Sequence, residues 1–86
     1  MIFAISTDSN EVCPHFGKAP HFSFITIENN KILKKEIKAN HEHTRGNLPK
    51  FIVEQGAMVI ITGGMGRRAI DYFKQYGIKV VLGVTG

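Results

Sequence analysis

Cys13, His15 and His21 are the first residues whose types and spacing invite chemistry. A thiolate and an imidazole two residues apart are soft to borderline ligands that suit iron, zinc or an iron–sulfur cluster. The spacing is not that of a zinc finger, and the chain has neither a CxxC nor an HExxH, so a closed structural site has little support. His41 and His43 add two more ligands if their segment is extended, because alternate residues then share a face. Cys13 reads equally well as a small buried apolar residue. As a nucleophile it pairs with His15 but lacks a third group to orient the ring. Of the seven carboxylates, only Asp8, and after it Glu11, falls near the rim where the loops below converge. Paired-carboxylate and two-metal nuclease chemistry are therefore not expected.

The second constellation is Gly63-Gly64-Met65-Gly66 followed by Arg67 and Arg68. A short apolar run, Met58 to Ile61, feeds the glycines as a buried strand, and Ala69, Ile70 and Phe73 then recur at helical spacing. A helix start leaves several backbone N–H groups unpaired. Those donors, the helix dipole and two arginines make an anion site. The competing reading is a tight strand-to-helix turn that the glycines merely permit. The bend is not a P-loop, since Arg67-Arg68-Ala69 stands where Lys-Ser/Thr belongs, and it lacks the GxGxxG spacing of a dinucleotide fold.

These residues need elements to position them. Ile2 to Ser6 reads as a first strand, apolar enough on both sides to be central. Thr7 to Pro14 is polar and turn-rich. His21 to Glu28 and Lys31 to Lys38 are strands joined by Asn29-Asn30, both of which tolerate the positive φ of a two-residue hairpin turn. Lys31, Lys34, Lys35 and Lys38 read as charges that blunt an exposed sheet edge, with Glu36 interrupting the patch. After a loop over Ala39 to Gly46, Asn47 caps a helix that tolerates Pro49 in its first turn, buries Leu48, Phe51 and Ile52, and ends at Gly56. The strand, the glycine bend and a second helix ending at Gly77 follow, then a last strand, Ile78 to Leu82. The order β-β-β-α-β-α-β gives an α/β fold with a mixed five-stranded sheet, a parallel core and an antiparallel hairpin at one edge. The first and fourth strands end at the same rim, which brings the 7–20 loop to the GGMG bend. Open α/β sheets bind ligands at such a rim. The chain ends at Val84-Thr85-Gly86, directly after a strand, so one sheet face is expected to carry fewer covering elements. Self-association is one remedy and a longer parent chain is another.

The 86 residues make one domain, 1–86. A hydrophobic fraction of 43% with 21% charged residues excludes a disordered chain. The net charge of +4 favours anionic partners in a general way, but the lysines are not clustered with aromatics as in a nucleic-acid surface. One cysteine rules out an internal disulfide framework and fits a reducing compartment. No signal peptide or transmembrane run is seen, so the expected location is cytoplasmic.

Taken together, the N-terminal strand, HFGKAPHF, the hairpin, TGGMGRRA and IKVVLGVTG resemble the dinitrogenase iron–molybdenum cofactor biosynthesis family over essentially the whole chain. The resemblance implies a ribonuclease H-like three-layer α/β fold. It also implies non-enzymatic binding or carriage of an anionic cluster of the iron–sulfur or iron–molybdenum cofactor type, in nitrogenase-related cofactor assembly. His15 is the implied cluster ligand, with Cys13 a second. Gly63, Gly64, Met65, Gly66, Arg67 and Arg68 are the implied cradle that neutralises the cluster's charge. A cluster held by one or two side chains can be handed on, whereas four thiolates would retain it. The expected partners are the metal cluster and cofactor-assembly proteins, with no nucleic acid and no membrane, for a monomer or weak homodimer. The alternative is a small anion- or phosphometabolite-binding module using the GGMG helix start.

Overall fold

The computed structural model describes residues 1–9, 11–40 and 47–85. At its centre lies β1 (Ile2–Asp8), paired antiparallel with β3 (His21–Glu28) on one side and parallel with β5 (Ala57–Ile61) on the other. The neighbours outward are β4 (Lys31–Ala39) and β6 (Lys79–Val81), giving the order β4-β3-β1-β5-β6. The hairpin therefore forms one edge and the three parallel strands the other half. A sixth strand, β2 (Glu11–Val12), folds back on the end of β1 through Thr7↔Val12 and Asp8↔Glu11. The five-stranded expectation is corrected here. A two-residue ladder is too short to show a period-2 pattern, and its polar residues look like a turn.

Register sorts the sheet residues onto two faces. Ala4, Ser6, Phe22, Phe24 and Ile60 share one, and all are buried. Both helices pack there. In α1 (Asn47–Glu54), Leu48 and Ile52 are buried, and Phe51 meets Phe24 edge-on at 6.1 Å between ring centroids. In α2 (Arg67–Gln75), Phe73 is fully buried. Phe3, Ile5, Ile25, Val59 and Ile61 lie on the other face, half-buried, and no helix of the described residues covers them. The described residues thus make two layers, where three were expected. Right-handed crossovers that advance the same way, β1 to β5 to β6, place their helices on one side.

Local signals explain the boundaries. Asn29 and Asn30 adopt φ of 51° and 64°, which the hairpin turn requires. Gly56 at φ 82° and Gly77 at φ 71° end the two helices in the left-handed region. His41 and His43 lie outside the described residues, and Asn47, expected as the cap, is the first residue of α1. At the β4 edge a register shift between Thr26 and Ile27 accompanies the exposed lysines. Lys34 sits 2.6 Å from Glu36 and holds its carboxyl below the usual carboxylate range by hydrogen bond and charge. Among the described residues, no helix is long and apolar enough to cross a membrane.

Candidate functional site

The carboxyl ends of β1 and β5 do lie at one rim, and the two loops that leave them are sewn together. The Phe16 amide donates to the Gly64 carbonyl at 2.9 Å, and the Gly63 amide donates to the Cys13 carbonyl at 3.2 Å. Beneath them is a buried pair of hydroxyls from the two strand ends. Ser6 Oγ donates to Thr62 Oγ1 at 2.7 Å, and Thr62 Oγ1 lies 3.4 Å from both the Cys13 and Gly64 carbonyls. Ser6 Oγ also lies 3.2 Å from the Cys13 carbonyl. Since each hydroxyl has one proton, one hydroxyl of the pair donates to the other and that other donates to a loop carbonyl. Thr62→Val should therefore lower stability by about 1–2 kcal/mol. It should also accelerate hydrogen exchange at the Phe16 and Gly63 amides. Unchanged exchange at both amides would show that the hydroxyls do not hold the loops.

Phe16 anchors the same junction from within. It begins a single 3-10 turn, Phe16–Lys18, and its ring inserts edge-on against Phe22 of β3 at 5.3 Å and Phe73 of α2 at 5.7 Å. With the aromatic ring buried, the residues on either side of it are held at the surface. His15 is exposed, and its imidazole has no hydrogen-bond or ion-pair partner among the described residues. Its carbonyl is engaged by the Lys18 amide at 3.2 Å and by Cys13 Sγ at 3.3 Å.

A cavity of about 570 Å³ opens between the 14–18 turn and the 63–66 bend, with His15, Lys18 and all four residues of the bend in its lining. A second cavity, of about 480 Å³, shares Gly17 and Lys18 with it. The bend offers main-chain donors. The amides of Gly64, Met65 and Gly66 have no acceptor among the described residues. The Gly63 amide is already taken, so the cradle has one donor fewer than the glycine run suggests. Gly66 caps α2 in extended conformation, φ −68° and ψ 153°, with no side-chain cap, and the first turn contains no acidic residue. Arg67 and Arg68 add positive charge at the positive end of the helix, which disfavours the helix and makes the site favourable to an anion.

The structure departs from the sequence reading at several of the proposed residues. Cys13 is 5% exposed and belongs to the hydrophobic core, with its thiol turned to the His15 carbonyl. It does not line the cavity. Arg67 and Arg68 are exposed beside the cavity and outside its lining, and Arg67 Nε lies 3.6 Å from Asp71. Lys18 is the cationic residue of the lining instead. The signal was present in HFGKAP, but only the 3-10 turn shows where Lys18 goes. His21 starts β3 at the same rim and is exposed outside the lining. Asp8 and Glu11 pair across β1 and β2, and no group of three His, Cys, Asp or Glu able to hold a metal ion occurs among the described residues. One imidazole, three free amides and an ammonium can hold an anion and supply it a single bond; they cannot enclose a bare metal ion.

A family model described as dinitrogenase iron-molybdenum cofactor matches residues 1–86. The chain is 36% identical over 85 residues to the uncharacterized protein MJ0580 of Methanocaldococcus jannaschii, covering 93% of this chain and 72% of that one. It superposes on the crystal structure of PH0822 with a TM-score of 0.92 at 39% identity, covering 100% of this chain and 80% of that one. The apo form of the orange protein from Desulfovibrio gigas superposes with a TM-score of 0.82 at 24% identity, covering 99% and 77%. At that identity the likeness concerns the fold alone.

Proposed function

The chain belongs to the dinitrogenase iron-molybdenum cofactor family, and from that premise we propose that it binds and carries an anionic metal cluster of the iron–sulfur or iron–molybdenum type, without turning it over. The observation that carries this reading is the exposed, unpartnered imidazole of His15 in the same cavity lining as the free amides of Gly64, Met65 and Gly66. His15 makes the one bond to metal. The amides, Lys18 and the N-terminus of α2 offset the cluster's charge, with Arg67 and Arg68 flanking the entrance. A single exchangeable side-chain bond suits delivery, because the cargo leaves when a recipient offers more ligands. The buried thiol of Cys13 acts through packing and its hold on the His15 carbonyl. On the same reading the sheet is of the ribonuclease H-like kind. The lone free cysteine supports a reducing compartment, the cytoplasm.

The test is anaerobic reconstitution with iron and sulfide, followed by metal and sulfide analysis of the parent and His15→Ala. The parent should retain cluster after desalting, and the variant should fall to background with an unchanged fold. Absence of uptake by the parent, or equal uptake by both, defeats the proposal. The free amides also favour a second reading, a phosphometabolite module. That reading expects phosphate ligands to raise the melting temperature equally in the parent and His15→Ala.

A further inference from the structure

The two edges of the sheet are unlike. The β4 edge carries a register shift, and its lysines are partly matched by Glu36 on the same strand. Such features discourage another strand from pairing. The β6 edge has no register shift, and its one lysine, Lys79, has no carboxylate on its own strand. It is the other terminus of the sheet, and beside it runs a groove of about 640 Å³ under the flank of α2. Ile70, Ile78 and Val80 make the groove aliphatic, and Leu82 at its end is 45% exposed. Three cations line it, Arg67, Lys74 and Lys79, and no carboxylate does. Arg67 has Asp71 nearby, but Lys74 and Lys79 have no acidic partner among the described residues.

We propose that the β6 edge and the adjoining flank of α2 accept an acidic, strand-forming segment of a partner protein. The segment adds beside β6 through main-chain hydrogen bonds, lays alternate aliphatic side chains on Ile70, Ile78 and Val80, and turns its carboxylates to Lys74 and Lys79. Charge selects the occupant. A second copy of this chain would bring like charges together, three facing three, whereas an acidic segment meets complementary charge. The absence of any aromatic ring from the lining argues against nucleic-acid bases, which need a stacking partner. Arg67 lines this groove and directly follows Gly66, which lines the cavity of the candidate site, so a partner seated here sits near that cavity. The surface is argued from the groove itself and does not rest on cluster binding.

The experiment is an amide NMR titration of the 86-residue protein with a capped synthetic peptide alternating glutamate and valine. Saturable shifts should map to residues 67–74 and 78–82, with slowed hydrogen exchange along β6, and should weaken as salt is raised. The double variant Lys74→Glu with Lys79→Glu should lose affinity by at least about tenfold. It should instead bind a peptide alternating lysine and valine, which shows that the variant is folded and that charge sets the choice. Lys34→Glu with Lys35→Glu on β4 should bind like the parent. The proposal is overturned if shifts map to β4 or the open sheet face, if the double variant keeps its affinity for the acidic peptide, or if an alternating glutamate–proline peptide, unable to pair, binds equally well.

Discussion

Gly63→Ala should destabilise the protein by about 3 kcal/mol, the upper end of what overpacking costs. The melting temperature should fall by roughly 12–24 °C in a domain of this size. A Cβ at Gly63 would lie 2.5 Å from Pro14 Cα, 3.0 Å from its carbonyl oxygen and 3.1 Å from its carbonyl carbon. All three are backbone atoms, so no rotamer change relieves the overlap. The chain is also pinned on both sides, by the Gly63 amide on the Cys13 carbonyl and by the Gly83 amide on the Gly63 carbonyl at 3.0 Å. The loops must therefore part, carrying His15 away from the bend, and reconstituted cluster should be lost along with stability. Gly66→Ala is the control. Nothing lies within 4 Å of a Cβ there, and the residue is at an ordinary φ of −68°. Its cost should stay within about 1 kcal/mol, the loss of a tolerated cap. Thermal melts of the two variants give the comparison; equal melting temperatures would mean that the loops do not need their close approach.

That contrast bears on what the sequence can reveal. GGMG is visible at a glance, but its glycines do different jobs. Gly63 is required by Pro14, forty-nine residues away in the chain and in contact only after folding. At Gly63 the glycine serves the turn itself, although the demand is for close approach rather than for positive φ. Features set by neighbours in sequence were legible. Asn29-Asn30 specified its turn, Gly56 and Gly77 marked the helix ends, and the lysines of β4 marked an edge. The convergence of the 7–20 loop on the bend was also legible, because parallel pairing of β1 and β5 follows from the crossover. Side-chain direction at the rim was not. Cys13 and His15 are two residues apart, a spacing that would put them on one face of an extended segment. The bend at Pro14 instead sends one into the core and leaves the other at the surface. Nothing in the letters says which, until Phe16 is seen wedged between Phe22 and Phe73. Lys18 was equally hidden, since one 3-10 turn decides that it lines the cavity while Arg67 and Arg68 stay outside.

Gly66→Asp should separate folding from binding, moving the two in opposite directions. The position is a helix N-cap in extended conformation that lacks a side-chain cap. An aspartate there accepts from the first-turn amides and places negative charge against two arginines and the helix dipole. Stability should rise by about 0.5–1 kcal/mol, a few tenths from the cap and the rest from the charge at the helix start, a gain of roughly 2–8 °C in melting temperature. The same carboxylate puts a negative charge beside the free amides of Gly64, Met65 and Gly66 and takes the first-turn donors of α2. Two negative charges about 5 Å apart at a partly solvated site repel by about 2–3 kcal/mol, so retention of a reconstituted iron–sulfur cluster should fall at least about tenfold. On the proposed reading, glycine at this cap leaves the helix start less stable than it can be and its donors open to an anion. A Gly66→Asp protein that melts higher yet retains cluster like the parent would remove the anion from the α2 terminus and leave His15 and Lys18 to hold it from the other side.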